Sequence, residues 1–362
     1  MASHWHKGVL GAIAAIAIVG APVAAQQPLP LKPGKAWKHE HSGITVPATL
    51  GGLQRDKGMA YAQDELDVGL SYTVQNAAES LTFYVFRNTN GAVPVWFAQA
   101  QWGIEQRSTF GHPPLAIAPE AFVPPGQTVA SGLRAFYAPK SGGYRSTGVA
   151  MLPVGGWYVK VRASSQSRSP EELANWVETA LSEIGWPRDM AAAAAAHPVT
   201  PCPEPLRFDA IAADASGDDL TAEALGVALM SSAAGDETIK KKPAPAVQWC
   251  RDRQLDGNIA TYRPGGSTAE YLLAYGDNGN GIWTGPSPMK IAMDEIAAKK
   301  GAAASPRYAV TLHTAMEDVN FVLQDRLPSP ERVAEILSMN RRASTVATWG
   351  KERKVQINSA AK

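Results

Sequence analysis

Runs of alternating apolar and polar residues, separated by turn residues, recur along both halves of the chain. In WYVKVRAS (Trp157–Ser164), Tyr158, Lys160 and Arg162 alternate with Val159, Val161 and Ala163, the period-two pattern of a strand with one covered and one polar face. SGITVP (Ser42–Pro47), VGLSYTVQ (Val68–Gln75), SLTFYVFRN (Ser80–Asn88), LRAFYAP (Leu133–Pro139) and YRSTGVAML (Tyr144–Leu152) are equally rich in β-branched and aromatic residues and read as strands. PVWFAQAQWGIEQR (Pro94–Arg107) changes the period: Phe97, Ala100 or Gln101, and Ile104 share a helical face, with proline in the first turn. A helix from Ser169 closes this half, with Leu173, Val177, Ala180, Leu181 and Ile184 on one side. Ser169 and Glu172 spell a capping box around Pro170.

The second half repeats the order of elements. DDLTAEALGVALMSS (Asp218–Ser232) reads as a helix and DETIKKKPAPA (Asp236–Ala246) as a loop. Four strand-like runs follow within Val247–Gly285, then a helix at Pro288–Lys300, strands at Tyr308–Ala315 and Val319–Leu327, and a helix from Ser329. The two closing helices both begin Ser-Pro-Glu, although Arg332 stands where the second capping box needs an acid. PRDMAAAAAAHPVTPCPEP (Pro187–Pro205) has neither period and reads as an Ala/Pro-rich linker.

The expected architecture is α+β in two domains, each an antiparallel sheet packed against helices. The domains span 38–186 and 206–345, with a C-terminal tail at 346–362, and their shared element order suggests a diverged duplication. That order of strand hairpins, helix, strands and closing helix resembles the PsbP/Mog1-like α/β sandwich domains. The resemblance implies non-enzymatic binding and assembly modules and transfers no site residue.

The N-terminus adds a compartment. Lys7, an apolar run from Val9 to Val19 and the exit GAPVAAQQP form the pattern of a signal peptide over 1–25, giving a mature start at Gln26. The apolar run, about 11 residues, is short of the ~20 that span a bilayer. The expected location is therefore periplasmic or secreted, with no stable membrane insertion after cleavage. Lys7 is the only charge in that segment, so the chain's 34 basic and 33 acidic residues become balanced on its removal. A neutral chain argues against a nucleic-acid partner. In an oxidising space the two cysteines, Cys202 and Cys250, are expected to form a disulfide.

Candidate chemistry is sparse. Ser287–Lys290 (SPMK) matches S-x-x-K, but serine and proline there are also what a helix start favours, and the partner motifs S-D-N and K-T-G are missing. GGYRSTG (Gly142–Gly148) misses a nucleophile elbow by one position. His39 and His41 would share a strand face as two metal ligands could, with no third ligand nearby. His112 and His197 fall in a loop and the linker, and His313 reads as a structural residue of a strand. GDNGNG (Gly276–Gly281) lacks the acidic spacing of a calcium loop and reads as a hairpin turn, with Tyr275 and Trp283 beside it as possible exposed aromatics. This reading assigns no catalytic, cofactor-binding or metal residue and no cofactor. The expected function is an exported binding or assembly module of the bacterial cell envelope, with an unknown envelope protein or small ligand as partner. Binding would use sheet faces or loops such as the proline-rich Gly111–Gln127. The alternative is an exported hydrolase whose site assembles only in the fold.

Overall fold

The computed structural model describes residues 26–74, 78–188, 190–215, 225–230, 232, 245–289, 291, 307–350 and 354–358. The expected signal peptide, most of the helices expected at 218–232 and 288–300, and most of the 236–246 loop lie outside the described residues.

The alternating runs become strands. In the first half these are β1 (Gln27–Pro28), β2 (Trp37–Lys38), β3 (Thr45–Val46), β4 (Thr49–Leu50), β5 (Leu53–Ala60), β6 (Asp67–Thr73) and β7 (Glu79–Arg87), then β8 (Leu115–Phe122), β9 (Gly132–Tyr137), β10 (Ser146–Val154) and β11 (Trp157–Ser165). β2 and β3 form a small ribbon, while the large sheet has the order β1-β5-β6-β7-β11-β10-β9-β8, with β4 on β5. After β7, helix α1 (Val93–Glu105) carries the chain to the opposite edge, and β9, β10 and β11 walk back until β11 pairs with β7. Helix α2 (Pro170–Ser182) follows, with its capping box formed as the sequence predicts.

The second sheet is a simple succession: β12 (Thr200–Pro201), β13 (Trp249–Gln254), β14 (Ile259–Pro264), β15 (Tyr271–Tyr275), β16 (Gly281–Pro286), β17 (Tyr308–His313), β18 (Glu317–Phe321), β19 (Arg342–Ala347) and β20 (Val355–Ile357). Helix α3 (Pro330–Ser338) lies between β18 and β19. Cys202 and Cys250 are paired at disulfide distance, fastening the end of the linker segment to β13.

These observations correct the expected fold class. Strand outweighs helix 39% to 18%, and the chain is a pair of large, chiefly antiparallel sheets rather than a balanced α+β protein. The duplication fails on connectivity. In the first sheet the strands flanking α1 sit far apart, whereas β16 and β17, the strands flanking the second half's expected helix, are hydrogen-bonded neighbours. Nor does α3 close its half, because β19 and β20 follow it and extend the sheet into the segment expected as a tail. Short polar-to-apolar periods identify strands but carry no information on which strand pairs with which. The proline-rich stretch expected as a loop contains β8, an edge strand bulged twice against β9, with Pro119 lacking the amide a further partner would need.

Two layers of core explain the arrangement. Leu173, Trp176, Val177 and Leu181 of α2 pack on the face of the first sheet formed by Leu70, Leu81, Phe83, Val85, Val159 and Val161. Helix α1 lies against the other face, and unlike a surface helix it is buried nearly all round. One side meets β9 and β10 and the other meets β14 and β15 of the second sheet, so Trp96, Phe97, Tyr262, Leu272 and Ala274 share one core. Gln99, fully buried in α1, completes the join: its Nε2 donates to the carbonyls of Asn258 (3.0 Å) and Gly276 (2.9 Å), and its Oε1 accepts from Tyr262 Oη at 2.9 Å. Each polar atom of a buried amide therefore has a partner, as burial requires.

Candidate functional site

A group of ionisable side chains lies where a turn of the second sheet meets the first. Lys160 and Arg162 occupy alternate positions on β11, so the strand pleat points both toward the second half. The hairpin turn between β15 and β16 reaches across to meet them. Asp277 in that turn accepts from Lys160 Nζ at 2.8 Å and from Arg162 at 2.5 Å. Lys160 Nζ also donates to the Asp277 carbonyl at 3.0 Å and lies over the ring of Tyr84 at 4.6 Å. Next in the turn, Asn278 Nδ2 donates to Asp67 Oδ2 at 2.9 Å, and the Gly279 carbonyl accepts from Thr89 Oγ1 and Asn90 Nδ2.

Burial governs the electrostatics. It pushes the Asp67 carboxyl up to about 6, with the Asn278 hydrogen bond and Lys160 pulling back. Burial also draws Lys160 down, against the attraction of Asp277. For Asp277 burial acts upward, but Lys160 and Arg162 together hold it below the ordinary carboxylate range. The two cations on one carboxylate fix the ionised form of the cluster.

Beside this cluster two tyrosines cover a glycine. Gly69 on β6 stands directly across from Tyr84 on β7. A Cβ at Gly69 would meet Tyr84 at 3.0 Å and Tyr61 at 3.1 Å, so the absent side chain is what lets both rings lie over the strand. The ring centroids are 6.5 Å apart, and both tyrosines are partly exposed. Burial raises both phenols, so they remain neutral donors.

The histidines have other roles. His39 is fully buried: Nε2 donates to the Glu65 carbonyl at 3.0 Å and Nδ1 accepts from Ser42 Oγ at 2.7 Å, leaving no lone pair for a metal. Burial lowers it to about 4. His41 donates to the Asp64 carbonyl at 3.0 Å and sits between Trp157 and Trp349. Asp64 and Glu65 both have left-handed backbones (φ 53° and 55°), a costly pair of conformations that these two imidazoles help to hold. Arg87 joins the same region to the second half, donating to the Ala315 carbonyl at 2.9 Å and the Thr348 carbonyl at 2.7 Å and lying over Trp349.

His112 is exposed and its Nδ1 donates to the Glu105 carbonyl at 3.0 Å; His197 is exposed in the linker. His313 Nδ1 contacts Asp318 Oδ1 at 2.7 Å. Ser287 is buried and Lys290 lies outside the described residues. Trp283 packs against the core shared by the two sheets and Tyr275 against a further cluster around Tyr271, Val310 and Ile336, so they do not form an exposed pair. Among the described residues, no group of three His, Cys, Asp or Glu side chains is placed to hold a metal, and no helix is long and apolar enough to cross a membrane.

The GDNGNG segment is the hairpin turn its Asn-Gly pattern predicts, pairing Ala274 with Gly281. Nothing in that pattern shows that the turn also joins the two halves. The available signal was Lys160 and Arg162 on the polar side of a strand expected to be half-buried.

No protein-family model matches the chain, and no curated protein matches it. A solved structure of a protein from Bacteroides thetaiotaomicron VPI-5482 aligns over 75% of this chain and 95% of its own at 10% identity and a TM-score of 0.19. That likeness is too slight to bear on fold or function.

Proposed function

We propose that this chain is an exported binding module of the bacterial cell envelope, periplasmic or secreted, whose ligand or partner rests on the open face of the first sheet at Tyr61 and Tyr84. The observation that carries this reading is the pair of partly exposed tyrosines laid over Gly69 at the rim of a cluster whose charges already satisfy one another. Aromatic surface with a wet polar tip is suited to recognition, while Lys160, Arg162 and Asp277 are engaged in holding the two sheets together. Each of those three is ion-paired, so none of them is the unpaired nucleophile or base that catalysis requires.

A photo-crosslinking residue at position 61 in exporting cells tests it. An envelope component captured there, absent from a control crosslinker at Val123 and lost with Gly69→Val, is the expected result. Equal capture at both positions overturns the reading.

One contact favours the hydrolase alternative. The His313–Asp318 pair leaves Nε2 facing away from the carboxylate, the orientation of a general base. Turnover of chromogenic esters or glycosides that is lost in His313→Gln would support it.

A further inference from the structure

The disulfide is asymmetric. Cys250 is buried within β13, 5% exposed, whereas Cys202 is half-buried between exposed Pro201 and Pro203. Arg263 stands directly across from Cys250 in the β13–β14 ladder but reaches the other sulfur, Nε donating to Cys202 Sγ at 3.2 Å. Its guanidinium is itself buried and fixed: Nη1 donates to the Ser267 carbonyl at 3.2 Å, Nη2 to the Glu204 carbonyl, and Nε also meets Asp252 Oδ1 at 3.1 Å. Besides the bond, two contacts tie this segment to β13: Cys202 N donates to the Arg251 carbonyl at 2.9 Å and Leu206 N to Asp252 Oδ1 at 2.8 Å.

We propose that Cys202–Cys250 is an exchangeable redox pair in which Cys202 is the sulfur that exchanges and Cys250 the one that resolves. In the reduced protein a fixed guanidinium N–H at Cys202 favours its thiolate, while apolar burial disfavours the thiolate of Cys250. Asp252 competes for the same N–H and moderates the effect. Of the other charged residues in these segments, Glu204 is exposed and the Arg251 guanidinium lies over the ring of Tyr262.

The exchange balances with a small disulfide as oxidant. The Cys202 thiolate attacks one sulfur of the external disulfide, forming a mixed disulfide and releasing one external thiolate. Cys250 then loses its proton and attacks Cys202 Sγ, closing the internal bond and releasing the second external thiolate. Reduction by an external dithiol runs in the other direction: one of its thiolates attacks Cys202 Sγ and expels Cys250, which takes up a proton. Its second thiolate then attacks the external sulfur of the mixed disulfide, closing the reductant's own disulfide and releasing the Cys202 thiolate.

The test uses the full chain reduced with dithiothreitol, desalted, and pulsed with iodoacetamide from pH 5 to 10, with each cysteine followed by peptide mass spectrometry. Cys202 is expected to react about tenfold or more faster than Cys250 at pH 7, with a midpoint below the ~8.5 of a free thiol. Arg263→Lys should raise that midpoint; if that variant fails to fold by circular dichroism, the rate comparison in the unaltered chain still decides. A Cys202 midpoint at or above ~8.5, or faster labelling of Cys250, overturns the proposal. As a second arm, oxidised glutathione should form a mixed disulfide with Cys250→Ser faster than with Cys202→Ser; the opposite order overturns it.

Discussion

Asp277, in a turn of the second sheet, is ion-paired with Lys160 of the first at 2.8 Å, and Arg162 shares the same carboxylate. The three groups are unequal in what their loss leaves behind. Asp277→Ala deprives buried Lys160 and partly exposed Arg162 of their shared carboxylate, whereas Lys160→Met leaves Asp277 paired with Arg162. Removing one partner of a buried pair costs about 3–5 kcal/mol, so Asp277→Ala should lose that much stability in urea unfolding and Lys160→Met clearly less. Combining Lys160→Met with Asp277→Ala should recover part of the loss. Equal effects of the two single changes would mean that Arg162 does not share the load.

Much of this cluster was legible as parts and illegible as a whole. The alternation of Lys160 and Arg162 with Val159 and Val161 located the strand and its two faces, and Asn-Gly located the turn at 276–281. Their meeting depends on which strands pair and where α1 lies, and a period-two pattern is silent on both. The even burial of α1 was hidden for a related reason. Gln99 and Gln101 break an apolar face when read along one helix, yet each finds a hydrogen-bond partner on a distant strand, Tyr262 of β14 and Tyr137 of β9. Shared Ser-Pro-Glu openings suggested repeated domains, but a helix cap is a local device and says nothing about the sheet a helix sits on.

Those caps make a graded prediction. Ser169 Oγ accepts from Glu172 N and Ser169 N in turn donates to the Glu172 carboxylate at 2.6 Å, whereas Ser329 accepts from Arg332 N alone. Losing a serine cap costs about 1 kcal/mol. Ser169→Ala and Ser329→Ala should each lower the unfolding free energy measured in urea by about that much. Glu172→Ala should lower it too, while Arg332→Ala, judged by its own role, should act through Asp214 and Gln324, which its guanidinium contacts.

The disulfide closes a span of 48 residues. In the chain-entropy description such a loop is worth about 4 kcal/mol. Cys202→Ala with Cys250→Ala should therefore lose roughly 4 kcal/mol against the oxidised chain, and the reduced unaltered chain should fall by a similar amount. A loss well under ~1 kcal/mol would mean that the unfolded chain gains little freedom when the bond opens.

Two buried groups titrate in opposite senses over the same pH range. The Asp67 carboxyl is raised from 3.8 to about 6 in the folded chain. Its contribution to stability is fully present below 3.8 and is lost as pH rises through about 6. His39 is lowered from 6.5 to about 4, so its contribution is present above 6.5 and is lost as pH falls through about 4. Each shift corresponds to about 3 kcal/mol, and between pH 4 and 6 the two slopes oppose each other. Asp67→Asn keeps an acceptor for Asn278 and removes one slope, so this variant should lose stability more steeply than the unaltered chain as pH falls from 6 toward 4. At pH 7 it should be the more stable of the two. His39→Gln removes the other slope, and its stability should instead decline as pH rises through the same window. Urea midpoints measured at half-unit steps, taken as differences from the unaltered chain so that other carboxylates cancel, check both. Parallel pH curves for the three proteins would show that neither group carries a shifted titration.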